Sequence, residues 1–315
     1  MKITKRKVLY AIYAVLAVLI IFNQVQKYRH KTMDAEIAQI ESGTAVLYAL
    51  DESGDYVLTE SGPTSYSVDS ILLFLTEGEA PYWSDSIFYF YPQVDKGRLL
   101  SLDSAGKKAY LTEVLGRVYE ELQPQWLQKL EDCNRHFQAH RPQIEDALSE
   151  AFELDTRPLF NDLRAAITLN PICPRFLKER YFDVFHLNSH RGALGIALHE
   201  IIHYLWFHVW NDIYHDSYEQ YERPSMKWIL SEMVVESIMR DARLSTINPY
   251  FPRENGGCVY DYFQTMVVDG APILDTLDRL YRQHDIQTFM EVSYRYCLDR
   301  EPAIRSHIRQ AESAF

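Results

Sequence analysis

Residues 192–210 read GALGIALHEIIHYLWFHVW, an apolar run in which Glu200 is the single acidic residue. The run contains no proline, and a segment that is apolar nearly all round predicts a buried α-helix. His199 and His203 stand four positions apart, so both imidazoles lie on one helical face, about 40° apart around the axis. Two histidines in this arrangement can bind one zinc ion, and Glu200 can accept a proton from metal-bound water. The stretch therefore predicts a buried metal-binding helix.

The apolar setting of this motif strengthens the prediction. The chain has 11 histidines, so a bare match to this spacing could arise by chance. Burying a glutamate and two histidines, however, costs several kcal/mol unless their polar atoms are satisfied. A metal ion would satisfy them. The alternative is that His199 and His203 are core histidines with ordinary hydrogen-bond partners.

A second helix with acidic residues is predicted downstream, over residues 224–240. Pro224 and Ser225 are residues that commonly begin a helix. Glu232 and Glu236 then follow four positions apart among apolar residues, where like charges repel each other. A nearby cation would remove that repulsion. The alternative is an ordinary amphipathic helix with both carboxylates in water.

Together these motifs resemble the zincin metallopeptidases, over roughly residues 160–245. The longer metzincin form of the motif is not met, because Trp206 stands in place of its glycine and Val209 in place of its third histidine. The chain is more similar to the thermolysin-like gluzincins, whose third zinc ligand is a glutamate on a following helix. That resemblance implies Glu232 as the ligand and Glu236 as an outer partner that orients a ligand imidazole. The reverse assignment of the two glutamates stays open.

The resemblance implies a peptide-bond hydrolase that uses Zn²⁺ as its cofactor. His199, His203 and Glu232 would hold the ion and leave one position for water. Glu200 would take the water proton and pass it to the leaving amine. The attacked carbonyl also needs a hydrogen-bond donor for its developing negative charge. Three residues after the metal helices are open candidates for that donor: Tyr260, Tyr262 and His284.

The N-terminal region predicts a membrane anchor. Residues 1–7 are basic, and residues 8–22 are all apolar or aromatic. A helix extended to residue 25 would be about 27 Å long, which is close to the ~30 Å hydrocarbon core of a bilayer. No small-residue cleavage site follows closely, so we favour an uncleaved anchor over a signal peptide. The positive-inside rule leans slightly towards an extracytoplasmic catalytic domain.

Composition restricts the class of the remaining chain. A net charge of −12 argues against a nucleic-acid partner, and 47% hydrophobic residues fit a packed globular body. The four cysteines, Cys133, Cys173, Cys258 and Cys297, could form two disulfides or remain thiols. The predicted divisions are a basic segment (1–7), an anchor (8–25), a linker (26–43), an α+β part (44–155) and a catalytic part with a helical end (156–315).

The expected fold is α+β and zincin-like, mostly helical with a small sheet before the metal helix. Strands are predicted near residues 44–50, 71–75, 87–91, 164–169 and 181–187. Helices are predicted over 108–152, with a break near Arg141 and Pro142, and over 274–281, 286–297 and 304–311.

The functional prediction is a membrane-anchored zinc metallopeptidase that acts on peptides or proteins. One alternative is a non-catalytic, membrane-tethered zinc-binding module. Another is a zinc hydrolase of a non-peptide amide, since the zinc and water chemistry is common to both reactions.

Overall fold

The computed structural model describes residues 48–50, 56–57, 63–75, 81–160, 163–248 and 258–313. The predicted anchor at 8–25, with its flanking segments 1–7 and 26–43, lies outside these residues. In the parts of the chain that the structure describes, no helix combines the length and apolar character that crossing a membrane requires.

The architecture is mostly helical with a small sheet, as predicted. A short 3₁₀-helix spans Tyr218–Tyr221. The helices are α1 (Pro63–Leu72), α2 (Pro81–Phe90), α3 (Lys96–Ser101), α4 (Ser104–Phe152), α5 (Arg157–Phe160), α6 (His190–Tyr214), α7 (Met226–Met239), α8 (Ala242–Ser245), α9 (Asp261–Gln264), α10 (Ile273–Gln283), α11 (Ile286–Asp299) and α12 (Glu301–Glu312).

The main sheet has five strands in the order β2-β1-β3-β5-β4. Its central pair, β3 and β5, is parallel, with Ala166 opposite Asp183, and the other neighbours are antiparallel. β4 forms an edge of the sheet, so in the part of the chain that the structure describes one of its sides has no strand partner. The strands are β1 (Tyr48–Leu50), β2 (Tyr56–Val57), β3 (Arg164–Thr168), β4 (Arg175–Phe176) and β5 (Tyr181–Phe185), and a separate hairpin contains β6 (Val267–Val268) and β7 (Ala271–Pro272).

The predicted metal helix, α6, lies at the centre of the larger apolar core. It packs against the long helix α4, the sheet and α7. Trp206 and Trp210 on α6 are fully buried, and the Trp206 ring contacts Phe289 on α11 edge-on. An apolar helix surrounded in this way is the arrangement that residues 192–210 predict.

Several sequence predictions are confirmed by these elements. Strands predicted at 164–169 and 181–187 correspond to β3 and β5. Helices predicted at 192–210 and 224–240 correspond to α6 and α7, and α7 begins after Ser225, whose side chain accepts a hydrogen bond from the Trp228 amide. The C-terminal helices correspond to α10, α11 and α12. The strand predicted at 44–50 is described only over Tyr48–Leu50, where it forms β1.

The strands predicted at 71–75 and 87–91 are wrong, because these residues lie in or just after helices α1 and α2. Their β-branched and aromatic side chains indicate strand only weakly, since packing overrides such propensities. In the structure Val68, Ile71 and Leu75 recur at helical spacing, and they are buried with Ile87 and Tyr91 in one apolar cluster that includes residues of α4. The spacing of the buried residues along the chain, rather than their residue types, therefore indicates that these segments are helices.

The break predicted near Arg141 and Pro142 is also wrong, because α4 runs unbroken from Ser104 to Phe152. A proline inside a helix removes one backbone hydrogen bond and costs about 3 kcal/mol. Packing offsets that cost here, since Ile144 and Leu148 in the following turns are fully buried in the core that α4 shares with α6.

Candidate metal centre

The two motif histidines and Glu232 meet between α6 and α7. His203 is fully buried, Glu232 is 2% exposed, and the side chain of His199 is 17% exposed towards a cleft. One donor atom from each of these residues lies within 4.8 Å of the others, and among the described residues this is the one group with such geometry. The structure therefore brings together the three side chains that the sequence predicts as ligands.

The donor atoms lie close enough together to share one ion. Ligands at about 2.0–2.1 Å from a tetrahedral zinc lie roughly 3.3 Å from one another. The two imidazole Nε2 atoms are 3.0 Å apart. Glu232 Oε1 is 3.5 Å from His203 Nε2, and Glu232 Oε2 is 3.7 Å from His199 Nε2. Without a metal, the short distance between the rings corresponds to one imidazole donating a hydrogen bond to the other.

The protonation states of His203 and Glu232 favour metal binding. At His199, burial lowers the pKa, but the hydrogen bond to Glu232 and the charges of Glu200 and Glu232 outweigh burial and raise it. Burial, together with the nearby charge of Arg175, lowers the pKa of His203 to about 3, so its imidazole is neutral at pH 7. Burial opposes ionisation of Glu232, but the imidazoles and Arg175 outweigh it and hold the pKa of the carboxyl well below its usual range. A neutral imidazole and an ionised carboxylate are the forms that bind zinc.

Glu200 is placed as a general base would need to be. It is 5% exposed, and its Oε1 lies 3.9 Å from His199 Nε2. Burial raises the pKa of Glu200 to about 7, while His199 and Arg175 lower it in part. Its Oε2 is buried without a hydrogen-bond partner in the described structure. A carboxylate with a pKa near neutrality can both accept and return a proton.

Glu236 lies one helical turn beyond Glu232 and outside the donor group. Its Oε1 accepts a hydrogen bond from Arg240 Nη1 at 3.3 Å. His203 Nδ1, the atom that an outer partner would bind, has no hydrogen-bond partner in the described structure. Geometry therefore favours Glu232 over Glu236 as the third ligand, and the orienting role of Glu236 stays a prediction.

Sequence analysis missed Arg175, the first residue of β4. Its Nη1 donates a hydrogen bond to Glu232 Oε1 at 2.7 Å, and only 9% of its side chain is exposed. Burial lowers the pKa of the Arg175 guanidinium. The nearby carboxylates outweigh burial and raise this pKa; these carboxylates belong to Glu232, Glu200 and Glu222. No spacing rule links residue 175 to the helices, so only the fold could identify this contact.

Two further contacts attach the sheet to the site. The Tyr204 hydroxyl on α6 lies 2.8 Å from the Phe176 carbonyl oxygen and 2.6 Å from that of Tyr181, so it ties the β4–β5 hairpin to the metal helix. Asp183 on β5 is fully buried and accepts hydrogen bonds at 2.6 Å from Tyr66 and Ser70 on α1. These bonds fix the positions of β4 and α1 relative to α6.

The site opens into a cleft of about 520 Å³. His199, Glu200 and Glu232 lie in its wall, and Leu73 and Phe74, which directly follow α1, lie in another part of the wall. Of the three predicted carbonyl donors, Tyr260 lines this cleft, whereas Tyr262 and His284 do not. Tyr260 is therefore the donor candidate that geometry favours.

No disulfide joins any of Cys133, Cys173, Cys258 and Cys297 in the structure. Cys173 and Cys258 lie in the wall of the cleft. Neither belongs to the donor group of His199, His203 and Glu232.

Comparison of the chain with protein-family models, curated proteins and solved structures finds no match. The functional argument therefore rests on the geometry and chemistry of the site itself.

Proposed function

We propose that the chain is a zinc metallopeptidase with a zincin-like catalytic part. The observation that carries the proposal is the meeting of His199, His203 and Glu232, with their donor atoms within 4.8 Å of one another, beside the buried Glu200 in a cleft open to substrate. Three protein ligands with one position left for water distinguish catalytic from structural zinc sites. Structural sites have no use for a buried carboxylate next to the ligands.

Carboxylates around the donor group favour a bound cation. Ionised Glu232 lies near Glu200 and Glu222, and the charges of these groups raise the pKa of the Arg175 guanidinium against its burial. Bound zinc would acidify a water molecule and polarise the substrate carbonyl.

The chain's own residues supply the remaining steps. Glu200 takes the proton from the attacking water and later gives it to the amine nitrogen as the peptide bond breaks. Tyr260, which lines the cleft, would donate a hydrogen bond to the carbonyl oxygen as negative charge develops there. The low exposure of Glu200 and Glu232 strengthens their electrostatic interactions.

A peptide substrate is favoured by the edge strand. Among the described residues β4 has no strand partner on its outer side, and its Arg175 reaches the site. An extended peptide that adds to this edge would pass the metal ligands, and backbone pairing tolerates varied side chains. The predicted anchor at 8–25 would hold this cleft near a bilayer, with the catalytic part outside the cytoplasm.

Glu200→Gln tests the proposal most simply. We expect the variant to retain zinc and to hydrolyse a mixed-peptide library about 10²–10⁴-fold more slowly, since the base is lost and the ligands remain. Glu219→Gln is the matched control, because Glu219 is an exposed glutamate on the 3₁₀-helix and does not line the cleft. It should retain most of the activity.

Two other functions give different results in the same assay. The Arg175–Glu232 pair satisfies the buried Glu232 without a metal, which favours a non-catalytic module. Such a module would show no turnover in either variant or in the wild type. A hydrolase of non-peptide amides would leave peptides intact but cleave simple acyl amides, in a Glu200-dependent manner.

A further inference from the structure

Arg175 is a buried cation placed where a metal ligand also has to be. Its Nη1 donates to Glu232 Oε1 at 2.7 Å, and its Nε and Nη2 atoms are buried without a hydrogen-bond partner in the described structure. A buried guanidinium with unmet donors is costly. Its retention beside the candidate metal centre points to an electrostatic purpose.

We propose that Arg175 is a resident counter-ion that stabilises the site without metal and weakens its affinity for zinc. The inference rests on the metal centre of the proposed function. In the metal-free chain Arg175 neutralises Glu232, and it keeps the carboxylate between the two imidazoles. When zinc binds, two cations share that carboxylate, and the repulsion between them lowers the affinity.

The position of Arg175 supports this role over a purely structural one. The residue belongs to the two-residue edge strand β4, and the hydroxyl of Tyr204 fixes that strand to α6. Because only 9% of the Arg175 side chain is exposed, the guanidinium has little room to withdraw when a metal binds. Because the site is buried, charges there are screened less than they are in water.

The counter-ion role predicts opposite effects on two measurable quantities. Removing the charge of Arg175 leaves Glu232 buried and unpaired, so the metal-free protein becomes less stable. The same change removes repulsion, so zinc binds more tightly. A purely structural arginine would show a loss in both quantities, because disordered ligands bind zinc less well.

The experiment uses the full chain and four variants. Zinc is removed with a chelator, and stability is measured by urea unfolding without metal. Zinc affinity is then measured by competition with a chromophoric chelator. Arg175→Met removes the charge and keeps much of the stem, Arg175→Gln keeps a donor for Glu232, and Arg175→Lys keeps the charge. Arg180→Met is the control, since Arg180 lies on the same hairpin but donates to the Leu159 carbonyl.

We expect Arg175→Met and Arg175→Gln to bind zinc at least about tenfold more tightly than wild type, which corresponds to ~1.4 kcal/mol. Both should unfold at a lower urea concentration when metal is absent. Arg175→Lys should keep a zinc affinity within about threefold of wild type, as should Arg180→Met. Arg175→Gln keeps the test decisive if the methionine variant does not fold.

Unchanged or weaker zinc binding in a folded, charge-free variant would overturn the counter-ion role, even if the wild type binds zinc and cleaves peptides. A wild-type chain that binds no zinc refutes the metal centre itself. It also refutes the competition between Arg175 and zinc for Glu232. A wild type that binds zinc but cleaves nothing refutes the peptidase and leaves the counter-ion result standing. The failures of the two proposals are therefore distinguishable.

Discussion

Replacing Asp183 by asparagine should change how stability depends on pH. Asp183 is fully buried in β5 and is bonded by Tyr66 and Ser70 of α1. Burial raises its pKa from 3.8 to about 7, although these hydrogen bonds oppose the shift. The folded chain therefore holds a proton that the unfolded chain has already released between pH ~4 and ~7.

The sign and size follow from that difference. Below pH ~4 the carboxyl is protonated in both states, and it contributes no pH dependence. As the pH rises to about 7, each unit costs the folded state about 1.36 kcal/mol, so the full change approaches 4 kcal/mol. The Asp183→Asn variant has no titrating carboxyl at this position, so it does not lose this stability as the pH rises. It should be about 1–3 kcal/mol less stable than wild type at acid pH, because an oxygen acceptor is lost. At pH 8 it should equal or exceed the wild type.

Urea unfolding of the metal-free chain at pH 4.5, 6 and 8 measures the gap, which is the difference in free energy of unfolding between the variant and the wild type. Asp146→Asn provides the control, since Asp146 is an exposed carboxylate on α4 that pairs with Arg157. Its gap to wild type should hardly change with pH. If the gap between Asp183→Asn and wild type is the same at pH 4.5 and 8, the buried-acid reasoning is wrong.

Further predictions concern the ligands and the hairpin. Glu232→Gln should weaken zinc binding more than Glu236→Gln, for which an outer-partner role limits the loss to about 10–100-fold; equal losses in a chelator competition would refute the assignment. Without metal, Glu232→Gln should also cost about 3 kcal/mol, because it leaves Arg175 as a buried unpaired charge; urea unfolding measures this. Tyr204→Phe should cost about 1–3 kcal/mol by removing a buried hydroxyl donor, whereas exposed Tyr218→Phe should not change the melting temperature.

Local spacing predicted the parts of the site that lie on single helices. The four-residue separations of His199 and His203, and of Glu232 and Glu236, determine which side chains share a helical face. The apolar surroundings of both pairs then predicted that α6 and α7 are buried. Glu232 was distinguished from Glu236 by resemblance, and the structure supports that choice by placing only Glu232 in the donor group.

The rest of the site depends on contacts between residues distant in sequence. Arg175 lies 57 positions from Glu232, and Tyr66 lies 117 positions from Asp183. No periodic pattern records such pairs, because they arise from sheet order and from the path of α1 over the sheet. The strands predicted at 71–75 and 87–91 failed for a related reason, since packing against α4 determined their helical form.

The zinc content of the purified full-length chain tests the central claim most directly. Elemental analysis after extensive dialysis should find one zinc ion per chain in the wild type. It should find little or none in His203→Gln, in which a fully buried ligand is replaced. A wild-type chain that is folded and zinc-free, and that takes up no zinc when it is supplied, would contradict the metal centre formed by His199, His203 and Glu232.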